Sequence, residues 1–242
     1  MARPGPALER DLATYAAEVR TALGERLVAV VLYGSAAGED WVAGRSDVNV
    51  AIVVERVTLA VLEALVPVVG RYRPRGFVLP LMVDQAYLDR ARDVFPMELD
   101  DIRRQHRILA GKDVFGAIPL DPKALRLQCE HEARAKLLRL RALFLEVAGK
   151  PPALENVMAG SLKSFLVLLR HWLGLRGVVA PAGYAAVLAA GETALGPLPV
   201  MRRLLAHRIG TAVLPPEALR ETFGEYLAEV ERITAAIDAE HA

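Results

Sequence analysis

LVAVVLYGSAAGEDWVAGRSDVNVAIVV, residues Leu27 to Val54, reads as a strand, a Gly-Ser turn, a loop or short helix, and a second strand. Leu27 to Tyr33 is apolar and β-branched enough to be a buried strand. Gly34-Ser35 follows at once. A glycine there lets backbone approach a ligand closely, and a serine hydroxyl with nearby N–H groups can cradle a phosphate. A dozen residues further on come Asp47, Val48, Asn49 and the apolar run Val50 to Val54. Alternation puts Asp47 and Asn49 on one face of that second strand and Val48 and Val50 on the other. Two polar groups on one face beside a phosphate loop are a candidate for holding a divalent cation.

This pattern resembles the nucleotidyltransferase signature of the DNA polymerase beta superfamily: an apolar strand, Gly-Ser, a gap of about a dozen residues, then Asp-x-Asp or Asp-x-Glu on the next strand. In such enzymes the paired carboxylates, with a third on a later strand, hold two Mg²⁺ ions that stabilise the attacking and leaving oxygens at a nucleoside triphosphate. The resemblance implies a nucleotide contact at Gly34, Ser35, Arg45 and Ser46, and metal ligation by Asp47, Asn49 and Asp84. It implies catalytic roles for Asp47, Asn49 and Glu98. The implied activity is Mg²⁺-dependent transfer of a nucleoside monophosphate from the triphosphate to a hydroxyl of a small molecule or protein. This sequence departs from the pattern at its centre, where Asn49 replaces the second acid. The alternative is therefore an impaired pseudo-nucleotidyltransferase, acting as a nucleotide-binding or toxin–antitoxin-type regulatory module.

The rest of the chain narrows the classes. At 242 residues it can bury a sizeable core and form one large or two small domains. Its formal net charge of +1 provides no global field toward nucleic acid or membrane, so neither is expected as a partner. A single cysteine, Cys129, excludes an intramolecular disulfide and a cysteine-based zinc site. A cytoplasmic setting is expected from that and from the absence of a signal-peptide core near the N-terminus. No apolar run reaches the ~18 residues that a membrane span needs. A homodimer is left open.

Ala7 to Leu23 has helical periodicity and is expected to pack on the sheet face behind the Gly-Ser turn. Thr58 reads as the N-cap of a helix over Leu59 to Tyr72, with Pro67 expected to kink or end it. Arg71, Arg73 and Arg75 cluster after it. Phe77 to Val83 reads as a third strand, which Pro80 confines to an edge or a bulge. The sheet is expected to lie within residues 27 to 84. Beyond it come a short helix from Gln85 and a longer one from Pro96 through Leu109. Gly116 to Pro122 reads as a linker, and almost everything after it as helix. The organisation expected is α+β: a small mixed-sheet nucleotidyltransferase-like domain over residues 1–115 and an all-α helical bundle over residues 116–242. The same order resembles bacterial nucleotidyltransferases with an appended helical domain, including aminoglycoside-modifying types and fused pairs of minimal-nucleotidyltransferase and HEPN kinds.

Several candidates carry two readings. Asp47 reads as a metal ligand or as a turn aspartate bonding local backbone. Asp84 reads as a third ligand or as the N-cap of the helix that follows. Glu98 reads as a general base or as an acid favoured in a helix's first turn. Gly34 is expected to matter more for its size than for its flexibility. The helix from Lys123 carries a basic excess (Arg126, Arg134, Lys136, Arg139, Arg141), read as a ligand-steering surface or a solvated face. Arg202 and His207 have the spacing of the Arg-x4–6-His motif of HEPN ribonucleases.

Overall fold

The computed structural model describes residues 5–38, 41, 42, 44, 46–147, 150–179 and 183–240. The chain divides into two compact units, Met1–Asp121 and Pro122–Ala242. The first is built on a four-stranded mixed sheet: β1 (Leu27–Tyr33), β2 (Asn49–Val54), β3 (Leu81–Asp84) and β4 (His106–Gly111), in the order β3-β2-β1-β4. β1 runs antiparallel to both β2 and β4, and β3 is parallel to β2.

Alternation along the strands makes two cores. One face carries Val30, Leu32, Val50 and Ile52. It is covered by α1 (Pro6–Leu23) through Leu12, Tyr15 and Val19, and by α2 (Leu59–Tyr72) through Val61, Leu65 and Tyr72. The other face carries Ala29, Val31, Ala51, Val53 and Val83. It is covered by Leu88 of α3 (Gln85–Ala91), Leu99 and Ile102 of α4 (Pro96–Arg104), and the following Phe115 and Ile118. Because Phe115, Ile118 and Leu120 pack on this face, the segment Gly116 to Pro122 belongs largely to the first unit, which runs on to Asp121.

Three expectations change. Pro67 does not end α2, which is continuous to Tyr72; the proline is exposed while Val61, Leu65, Val68 and Tyr72 hold the opposite side in the core. The third strand begins only after Pro80, at Leu81. Val48 bridges Phe77, whereas Ala51 pairs with Leu81, so the offset grows by one residue across Leu79-Pro80, the bulge that a missing N–H permits. The helix from Pro96 stops at Arg104, and His106–Gly111 is a fourth strand, outside the expected limits of the sheet. Ile108 and Ala110 extend the apolar spacing of α4, but pairing with β1 takes them as an edge strand.

The second unit consists of α5 (Pro122–Val147), α6 (Pro151–Leu175), α7 (Tyr184–Leu195), α8 (Pro199–Arg208) and α9 (Leu219–Asp238), with no strand among its described residues. Its core includes Leu140, Met158, Leu162, Phe165, Trp172, Tyr226, Val230 and Ile233. Glu229 of α9 accepts the Val200 and Met201 N–H groups at 2.8 Å each, closing the first turn of α8. Among the described residues, no helix is long and apolar enough to cross a membrane.

Candidate functional site: the Gly34 end of the sheet

β1 ends at Tyr33, and Gly34–Ala37 turns as a short 3₁₀ segment in which Ser35 is buried. Gly34 has φ of +73°, in the left-handed region, so it is needed for its conformational freedom as well as its size. Its N–H donates to the Gln105 carbonyl at 3.3 Å, tying the turn to the start of β4.

Tyr33 pairs with Asn49 on one side and His106 on the other. Residues paired across antiparallel strands share a face, so His106, Tyr33 and Asn49 form a polar row at this end of the sheet. Asn49 opens β2, and Asp47 stands just before the strand, exposed. The Asn49 amide nitrogen donates to the Asp47 carbonyl at 3.4 Å. His106 is fixed by the Ile102 carbonyl 2.8 Å from Nδ1 and by Asp113 3.2 Å from Nε2. Asp113 in turn accepts the Gly116 and Phe115 N–H groups, which together with His106 hold its carboxyl below the usual aspartate range.

One candidate lies elsewhere. Asp84 pairs with Val54, at the far end of β2 from Asn49, roughly 16 Å away along the strand. There its carboxylate accepts the Tyr87 N–H (2.8 Å) and the Val57 N–H (3.2 Å), capping α3 and tying it to the loop after β2. These bonds, Tyr87 first, hold its carboxyl low. Asp84 thus acts as the N-cap of α3, away from Asn49. The β3 residues on the Asn49 face are Leu81 and Val83, while Met82 faces the other core. Glu98 is exposed in the first turn of α4. Ser46 spends its hydroxyl on the Val42 N–H at 3.1 Å, closing a local turn, and Arg45 lies outside the described residues. Among the described residues, no group of three His, Cys, Asp or Glu side chains is placed to hold a metal ion.

The charged clusters are similarly occupied. Arg71 and Arg75 pair with Glu18 and Asp11 of α1 at 2.8 and 2.6 Å. On α5, Arg126 pairs with Glu130, Arg134 with Glu130 and Asp238, Lys136 with Glu132, and Arg141 with Glu231, leaving little of the basic excess for steering. Arg202 pairs with Glu192 and His207 with Glu155.

No family model matches the sequence, and no curated protein matches it. Among solved structures the chain is similar to spectinomycin adenyltransferase AAD(9) from Enterococcus faecialis, solved with ATP and spectinomycin. The TM-score is 0.54 at 13% identity, over 92% of this chain and 99% of that one. The likeness is one of fold, shared with that adenyltransferase. The Gly-Ser turn and the Asp47–Asn49 spacing are legible in the sequence; Gln105 and His106 are not, because they reach the turn only through the pairing of β4 with β1. Among the described residues, one carboxylate, Asp47, stands beside the Asn49 amide at this end of β2, a set that does not by itself fit a two-cation site.

Proposed function

We propose that this protein binds a nucleotide at the Gly34–Ala37 turn and that its transferase chemistry is impaired. The observation that carries this reading is the apolar face beside Asn49. Leu81, paired with Ala51, is the β3 residue on that face nearest Asn49, and Asp84 caps a helix at the other end of the sheet. A unit-charge pair ~4 Å apart is worth roughly 4 kcal/mol at an effective dielectric of 20, and a doubly charged ion raises that. At ~1.4 kcal/mol per factor of ten, a site short of two carboxylates loses orders of magnitude in metal affinity or rate. The turn and the Ser35 hydroxyl do not depend on those carboxylates, so phosphate binding outlives the loss of transfer.

A second reading keeps transfer to the hydroxyl of a small molecule, with Asp47 as the surviving acid and Glu98 as base. It is favoured by the likeness to an adenyltransferase solved with ATP and its acceptor. Calorimetric titration with ATP, GTP, CTP and UTP, with and without Mg²⁺, joined to mass spectrometry of products, separates the two. Binding without turnover supports the impaired reading. Release of pyrophosphate with a nucleotidylated acceptor overturns it in favour of the second, and absence of any binding overturns both.

A further inference from the structure

Two side-chain amides flank the Gly34 turn, and each turns its nitrogen toward it. Asn49 gives its amide nitrogen to the Asp47 carbonyl, and a carbonyl only accepts, so the bond fixes which end of the amide is nitrogen. The same nitrogen, 3.3 Å away, is the atom that a Cβ on Gly34 would meet; the amide oxygen is not within 4 Å of that point. Asn49 therefore turns NH₂, not oxygen, toward the turn. A metal ligand would have to present the oxygen.

Gln105 brackets the turn from the other side. Its carbonyl holds the Gly34 N–H, and its side chain runs under Gly38, its amide nitrogen 1.3 Å from where a Cβ on Gly38 would stand. A glycine at position 38 is what admits that side chain, since its φ of −128° is open to other residues. The Gln105 amide nitrogen is buried and has no hydrogen-bond partner among the described residues. A buried donor without an acceptor is uncommon and costly, and it marks a place where an acceptor is missing.

Resting on the nucleotide reading above, we infer that this site takes a phosphate group that carries no metal, with the amide nitrogens of Asn49 and Gln105 as its donors on either side of the turn. A pair of acids at the end of β2 repels bare phosphate and admits it only with a cation. An amide in the second position reverses that preference. Free phosphate oxygens are acceptors, which matches donors on both flanks. Mg²⁺ bound to the same oxygens competes with these donors. Magnesium thus weakens binding at this site instead of enabling it.

The test is calorimetry with ADP and with inorganic pyrophosphate on the full chain, in EDTA and in excess Mg²⁺. Wild type is expected to bind more tightly in EDTA. Asn49→Asp, nearly isosteric, is expected to lose about tenfold or more in EDTA and to bind better with Mg²⁺ than without it. Gln105→Glu is expected to shift the same way, and carries the comparison should Asn49→Asp fail to fold. Gln105→Ala is expected to weaken metal-free binding alone. Wild-type binding that requires Mg²⁺ overturns this inference and leaves the nucleotide reading standing. Binding in EDTA that neither Asn49→Asp nor Gln105→Glu changes overturns the assignment of the two donors. No binding under either condition overturns the nucleotide reading itself.

Discussion

Gly34 is held by two independent demands. Its φ of +73° strains any L side chain, at about 1–2 kcal/mol for alanine, and a Cβ would press on the Asn49 amide at 3.3 Å. Valine adds branching in a backbone region that β-branched residues essentially avoid. Gly34→Val therefore confounds folding with binding, and Gly34→Ala is the cleaner probe. It is expected to fold with a loss of about 1–2 kcal/mol in denaturant unfolding and to bind ADP markedly more weakly, because the added carbon lies on the ligand side of Asn49. If Gly34→Ala binds ADP as wild type does, the phosphate does not sit against this turn.

At the scale of elements, what was legible in the sequence was whatever neighbours encode for each other. β1, the turn and β2 follow from a β-branched run, a Gly-Ser pair and a second run. Thr58 accepts the Val61 N–H at 3.3 Å at the start of α2, as its position before an apolar periodic stretch suggests. Asp84 before α3 was legible as a cap in the same way. β4 was not: His106–Gly111 has no alternation to set it apart from the helix before it, and it becomes a strand because β1 offers an edge. Glu229 closing α8 was equally hidden, since donor and acceptor lie on different helices. The Asp84 cap gives a test with a definite sign. Its carboxyl is held below the ordinary aspartate value of ~3.9, so its contribution to stability is fully present above that value and is lost as pH falls toward the depressed one. Asp84→Ala is expected to cost about 1–2 kcal/mol at neutral pH. Asp84→Asn, which keeps a capping oxygen, is expected to cost less and to flatten part of the loss of stability below pH ~4. Neither should alter nucleotide affinity, because Asp84 stands at the opposite end of β2 from Asn49. Unfolding curves across pH and an ADP titration check both statements, and a loss of binding in Asp84→Asn would return Asp84 to the site.

For the whole molecule, what matters is how much chain the proposed site requires. Gly34, Ser35, Asn49, Gln105 and His106 all belong to the first unit. Both apolar clusters that sandwich its sheet are made of residues no later than Leu120. The core that positions the turn is thus complete within Met1–Asp121, and a fragment ending there keeps every strand pairing and both helical covers. The size is within the range in which single cores fold alone. A fragment of residues 1–121 is expected to unfold cooperatively and to bind ADP in EDTA within about threefold of the full chain, a difference under ~1 kcal/mol. Circular dichroism during thermal unfolding tests the first statement and calorimetry the second. A fragment that folds but fails to bind would overturn the placement of the whole site within the first unit.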